Sequence, residues 1–295
     1  MDRGNDRIYF NLRGVIMELS NESKTLFIPL LGKALMSKDK FFLKDSKAEE
    51  IISKIDYDFN SLKQSKWLSM YMALRASIID ELTNKYLANN KDTVVIHLGC
   101  GLDSRCLRVN AKFYKWYDID FPSVIDIRKM FYKENDNYKM IDSSVIDYKW
   151  LNKVEIKDNV LVIAEGLMMY LSTDEIKGLL SNINSKFKNV HLLFDSYSKR
   201  GVRLSKFKNP VNQVGAKIKY GFNKNSEFLT MNDNLVHYAT HLIKRSENNL
   251  KGWTKFVFNN LYCGRISQSI YKIYEFDLNS INKNISLHCK LSNFS

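Results

Sequence analysis

Only three prolines and twelve glycines punctuate this chain of 295 residues, so two glycines within three positions stand out. The four cysteines, Cys100, Cys106, Cys263 and Cys289, form no C-x-x-C pair and no zinc-type spacing. That excludes a disulfide framework and a thioredoxin-like redox motif, and leaves reduced, structural thiols. No apolar run approaches the ~20 residues needed to cross a bilayer. Met1-Asp2-Arg3-Gly4-Asn5-Asp6-Arg7 mixes both signs of charge ahead of any apolar residue, unlike a signal peptide. The expected location is therefore the cytoplasm, with no membrane partner. Histidines number five. His237 and His241 are four apart, but their segment reads as a strand with no third ligand near, so no metal is expected.

Acids are also in deficit, 32 against 45 bases, for a formal charge of +13. The lysines are spread along the chain among asparagines rather than gathered in a stripe. Such an excess reads as a solvated surface, and nucleic acid is a disfavoured partner. A field of this sign still steers small acidic molecules inward. The 45% hydrophobic content suffices for a large core.

The most informative stretch is Val94-Val95-Ile96-His97-Leu98-Gly99-Cys100-Gly101-Leu102-Asp103-Ser104-Arg105. An apolar strand empties into a two-glycine turn, with Asp103 expected to open a helix. Trp116-Tyr117-Asp118-Ile119-Asp120 follows at the spacing of a nucleoside-binding α/β unit. The glycines admit backbone close to a ligand, and the acid accepts hydrogen bonds from both ribose hydroxyls. A dinucleotide motif would need a third glycine where Ser104 stands, and a P-loop would need Gly-Lys-Ser/Thr. What remains is the shorter turn typical of S-adenosylmethionine methyltransferases.

Periodicity places strands at 93–98, 113–119, 139–145, 159–165 and 190–195, with two more near 235–243 and 270–278. Helices fall between them at 122–133 and 172–187, the latter opened by the capping box of Ser172 and Glu175. The first ninety residues read mainly as helix, with Trp67, Tyr71, Leu74, Ile78 and Leu82 on one face of 66–87. The expected fold is α/β, a Rossmann-like, mostly parallel seven-stranded sheet with an added N-terminal helical lid. A single domain is expected over 1–295. It comprises the lid region 1–90, a cofactor core at 91–195, a basic lid-like insertion at 196–234, and C-terminal strands and helix at 235–295.

The combination of HLGCGLDSR, WYDIDFP and AEGLMMYL resembles the leucine carboxyl methyltransferase family, in its bacterial branch related to polyketide O-methylation. Thr25-Leu26-Phe27-Ile28-Pro29-Leu30, Ile55-Asp56-Tyr57-Asp58-Phe59 and Leu74-Arg75 match that branch too, so the likeness runs from about Ser23 to Asp195. It implies the class I methyltransferase fold and S-adenosylmethionine as cofactor. By the same resemblance Arg75 would clamp the methionine carboxylate, the alternative being a structural salt bridge to Asp80 or Glu81. Gly99 and Gly101 would approach the homocysteine portion, and Asp120, or its rival Asp118, would hold the ribose. Ser144 and Val145 would meet the adenine, and Glu165 would lie near the amino end. Lys24 is a further candidate, where bacterial members commonly carry Glu. His97 departs from the usual motif and is expected to pack under the turn.

The implied function is O-methylation, with a carboxylate of a small acidic or polyketide-like molecule as acceptor. No catalytic base is assigned, because a carboxylate is already ionised at neutral pH. A phenol or alcohol acceptor would need one, with His191, His237 or His241 as candidates. Arg200, Arg203, Lys206 or Lys208 would orient the acceptor acid. The alternatives are a nucleic-acid or hydroxyl methyltransferase, or a non-catalytic S-adenosylmethionine-binding protein.

Overall fold

The structure is a computed structural model that describes residues 8–12, 15–19, 21–38, 42–206, 216–244 and 250–279. Two strands come first where helix was expected. β1 (Ile8–Leu12) and β2 (Val15–Leu19) pair antiparallel. Their runs, IYFNL and VIMEL, are rich in β-branched and aromatic residues. Five residues are too few for the helical period to be told from alternation. A single turn, α1 (Asn21–Lys24), leads into α2 (Phe27–Lys38), α3 (Ser46–Lys54) and the long α4 (Lys66–Asn89). Ser65 caps α4, accepting from the Leu68 N–H, and Asp45 caps α3 through the Ala48 N–H.

The second half is the expected sheet. β3 (Val94–Leu98), β4 (Lys115–Asp120), β5 (Tyr138–Asp142), β6 (Asn159–Ala164) and β7 (Asn189–Tyr197) run parallel. β9 (Tyr271–Asn279) lies antiparallel between β7 and β8 (Leu235–His241), giving the order β5-β4-β3-β6-β7-β9-β8. Both faces are covered. Val95, Trp116, Leu161 and Leu193 pack with α4 and α6 (Pro122–Phe131) on one side. Val94, Ile96, Val162 and Phe194 pack with α7 (Thr173–Lys186) on the other. Strands buried on two faces read as continuous Val/Ile runs, as these do. The capping box is formed at α7, with Ser172 and Glu175 exchanging hydrogen bonds.

One expected helix shrinks. α5 (Arg105–Arg108) is four residues long, and Asp103 does not open it. Asp103 is instead drawn off by Lys33 at 2.9 Å and Arg108 at 2.7 Å. From β3 the chain moves outward to β4 and β5, then crosses back to β6. The crevice at a reversal of this kind is where open α/β sheets take their ligands.

Candidate active site

Beyond β3 the backbone turns through Gly99 at φ +61° and Gly101 at φ +52°, values that favour glycine. A Cβ on Gly99 would also sit 3.1 Å from Leu167 Cδ1. The Gly101 N–H donates to Asp120 Oδ2 at 2.7 Å and the Phe121 N–H to Asp120 Oδ1 at 2.8 Å. Each oxygen keeps acceptor capacity on the cavity that Asp120 lines. Burial pushes this carboxyl above its ordinary range, against the pull of those two main-chain bonds.

Asp118 differs sharply. Two residues back on β4, it shares the face of Asp120 but lies about 6.6 Å deeper at ~3.3 Å per residue. It is fully buried and accepts from Trp116 Nε1 at 2.9 Å, from the Tyr138 hydroxyl at 2.6 Å and from the Arg128 guanidinium. His97, its register partner on β3, sits against it at 3.1 Å. Burial opposes its charge, but Arg128 outweighs that and holds the carboxyl low. Its acceptors are consumed in the core and it does not line the cavity, which removes Asp118 from the ligand-facing set. His97 does pack beneath the turn, edge-on to Trp116.

Across the crevice stands a buried ion-pair chain. Arg75, on α4, donates from Nε to Glu165 Oε1 at 2.9 Å and from Nη1 to the Tyr271 hydroxyl at 3.0 Å, with Asp195 3.3 Å away. Glu165, just past β6, is shared with Arg105. Burial alone would raise its pKa, yet Arg75 and Arg105 lower it to about 2. Arg105 and Arg108 both bind Asp80. The acid that might have paired with Arg75 is thus taken by other arginines. Tyr271 donates to Asp195 at 2.6 Å and completes the chain.

These walls enclose a cavity of about 550 Å³, within the range of small-molecule sites. Arg75, Gly99, Gly101, Asp120, Ser144, Val145 and Glu165 all line it. Lys24 does not. It is buried away from the cavity, which Ser23 and Thr25 border instead. Arg200, Arg203 and Lys206 are exposed and off the cavity, and Lys208 lies outside the described residues. Lys219, from the same basic stretch, is at the mouth, its N–H bonded to Met169 O at 2.8 Å. His191, His237 and His241 lie elsewhere. Burial pushes the Cys100 thiol well up, consistent with a structural role. Among the described residues no group of histidines, cysteines and acids is arranged to hold a metal.

Sequence reasoning missed Lys33, Arg105, Asp195 and Tyr271. Arg105 stood within the quoted motif, so its place was visible though its partner was not. Tyr271 reaches Arg75 across 196 positions and gave no local signal.

A mostly parallel sheet in this order, with a glycine turn after β3 and an acid closing β4, defines a Rossmann-like class I S-adenosylmethionine-dependent methyltransferase. The family model for leucine carboxyl methyltransferase matches residues 17–184, and the chain belongs to that family. It is 33% identical over 210 residues to the tetracenomycin polyketide synthesis O-methyltransferase TcmP of Streptomyces glaucescens, covering 70% of this chain and 78% of that one. It is 29% identical over 188 residues to the S-adenosyl-L-methionine-dependent methyltransferase dpfgK of Gibberella zeae, covering 58% and 63%. A solved structure of the magnesium protoporphyrin IX methyltransferase of Synechocystis with bound SAH aligns at TM-score 0.48 and 11% identity, over 79% of this chain and 93% of that one. The last likeness is too loose to bear on the site. The chain is an S-adenosylmethionine-dependent methyltransferase. Among the described residues no helix is long and apolar enough to cross a membrane.

Proposed function

We propose that the chain methylates a carboxylate oxygen of a small, largely apolar acid. The protonation state of the cavity wall carries this reading. Burial pushes the hydroxyls of Tyr71, Tyr170 and Tyr271 upward, so they remain neutral donors. Glu165 and Asp103 are held as anions by arginines and Lys33, which outweigh the opposing effect of burial. His97 also lines the cavity, but its ring is engaged with Asp118 at 3.1 Å, so none of these groups is placed to take a proton from an acceptor near neutral pH. A carboxylate acceptor needs none removed, whereas a phenol or alcohol does. Lys219 at the mouth supplies the charge-assisted partner for such an acid, in place of the arginines expected from the sequence.

The donor set also suits the cofactor. Asp120 would accept from the ribose hydroxyls, the side-chain-free backbone at Gly99 and Gly101 would run beside its chain, and Ser144 with Val145 would border the adenine. Arg75 and Glu165 offer opposite charges to the two ionised groups of its amino-acid end. Bound there, it supplies a methyl group on a sulfonium. The protein's own work is to align the acceptor and exclude water.

The test is transfer of labelled methyl into a panel of small acids. Label released by mild alkali marks an ester and supports the reading. Alkali-stable label marks an ether and overturns the carboxylate assignment, while leaving the family assignment standing.

A further inference from the structure

Residues 250–274 contain no aspartate or glutamate, yet hold Lys251, Lys255, Arg265 and Lys272. A short helix, Gly252–Val257, continues into the wider turn Phe258–Tyr262, and a second helix spans Arg265–Ile270. Phe258 and Cys263 are buried, and Tyr262 stacks on Trp67 of α4 at 6.0 Å, which fixes the inner side. The outer side is unusual. Trp253, Phe256, Leu261 and Ile266 are 59–75% exposed, and Trp253 stacks on Phe256 at 5.4 Å. Scattered apolar residues are ordinary on a surface, but four large ones within fourteen positions form a patch. Leu261, Tyr262, Ser267 and Ile270 also line the cavity, so the patch borders its mouth.

We propose that this face docks on an anionic lipid bilayer, with the cavity mouth turned toward the membrane. Charge complementarity selects the partner, since an acid-free segment with four cations is attracted to a negatively charged leaflet. The side-chain types select a lipid surface over an acidic protein. Tryptophan and phenylalanine settle at headgroup depth, and leucine and isoleucine enter the acyl boundary beneath flanking lysines. An interfacial contact of this kind needs no spanning segment, and it departs from the sequence expectation of no membrane partner. It rests on exposure and charge alone and is independent of the acceptor assignment.

The experiment is co-sedimentation of the full chain with vesicles of phosphatidylcholine alone or mixed with phosphatidylglycerol. Binding is expected to the anionic vesicles only, and to weaken as salt screens the attraction. Lys255→Glu should reduce the partition at least ~5-fold. The double variant Trp253→Ser with Phe256→Ser should reduce it by about tenfold or more. An unchanged thermal midpoint and circular dichroism spectrum establish that the variants fold. Absence of binding to anionic vesicles overturns the proposal, as does binding that both variants leave intact. A concentration-dependent dimer that the double variant abolishes would assign the face to a second copy of the chain, and overturns it too.

Discussion

The two walls of the cavity are built from opposite materials. On the first wall Arg75 and Glu165 are joined, through Arg105 behind them, to Asp80 and Arg108 in one buried chain of charge-assisted bonds. On the second wall Leu261, Tyr262 and Ile270, from residues 252–270, offer aromatic and aliphatic side chains, and much of that segment's surface faces outward. A buried charge tolerates only the partner geometry that satisfies it, so the first wall is stiff by construction. A wall held by a few apolar contacts opens locally at low cost. An invariant cofactor suits the first, and an acceptor that has to enter and leave suits the second.

The largest expected effect breaks this contrast most directly. Glu165→Gln removes the acid that two arginines share, leaving Arg75 with Asp195 and Arg105 with Asp80. It should cost about 3–5 kcal/mol in a urea denaturation series. Leu261→Ala, on the second wall and largely exposed, should stay within ~0.5 kcal/mol. Similar losses at the two positions would show that the walls do not differ in kind.

Next in size is the pair on β4. Asp118→Asn strands Arg128 in the core and should cost roughly 3 kcal/mol, with S-adenosylmethionine affinity nearly unchanged. Asp120→Asn should do the reverse. Stability would fall by only about 1 kcal/mol, since the amide keeps one of the two main-chain bonds from Gly101 and Phe121, while affinity measured by calorimetry would fall about 10–100-fold through loss of charged hydrogen bonds. Equal effects of the two variants on affinity would restore Asp118 to the ligand set. Gly99→Ala should follow at ~1–2 kcal/mol, because its φ of +61° penalises any side chain.

That pair also marks how far the sequence is legible. The strands from β3 to β7, the capping box and the glycine turn rest on local patterns, and they stand within a few residues of their expected places. Asp118 and Asp120 look alike in sequence because they share a strand and a face. Only depth below the turn separates them, and depth is a property of the assembled sheet. The same applies to Arg75, whose neighbours Asp80 and Glu81 suggested a local bridge. Its actual partners, Glu165, Asp195 and Tyr271, come from three distant segments. The N-terminal hairpin was missed for a different reason, because short runs do not carry enough periods to declare themselves.

The smallest expected effect concerns charge placed away from both walls, and it sharpens the contrast by asking whether ion pairs outside the cavity behave the same way. On the far strands His191 contacts Asp277 at 2.7 Å and Glu275 at 2.8 Å, and His241 contacts Glu275 at 2.5 Å. Tyr86 of α4 stacks on His191, and Tyr238 meets it edge-on. Burial works against both charges, but the histidines hold Glu275 at about 2 and the two acids carry His191 above its ordinary value. A depressed carboxylate stabilises above its unfolded pKa and loses that contribution as pH falls from about 4.5 toward 2. A raised histidine stabilises below its unfolded value of 6.5 and loses its contribution as pH rises through the folded value. The cluster therefore contributes most between about 4.5 and 6.5. Glu275→Gln should cost roughly 1–2 kcal/mol in that window, with the deficit narrowing on either side when thermal midpoints are followed against pH. Methyl transfer by the folded variant should be unaffected, which Glu165→Gln would not permit.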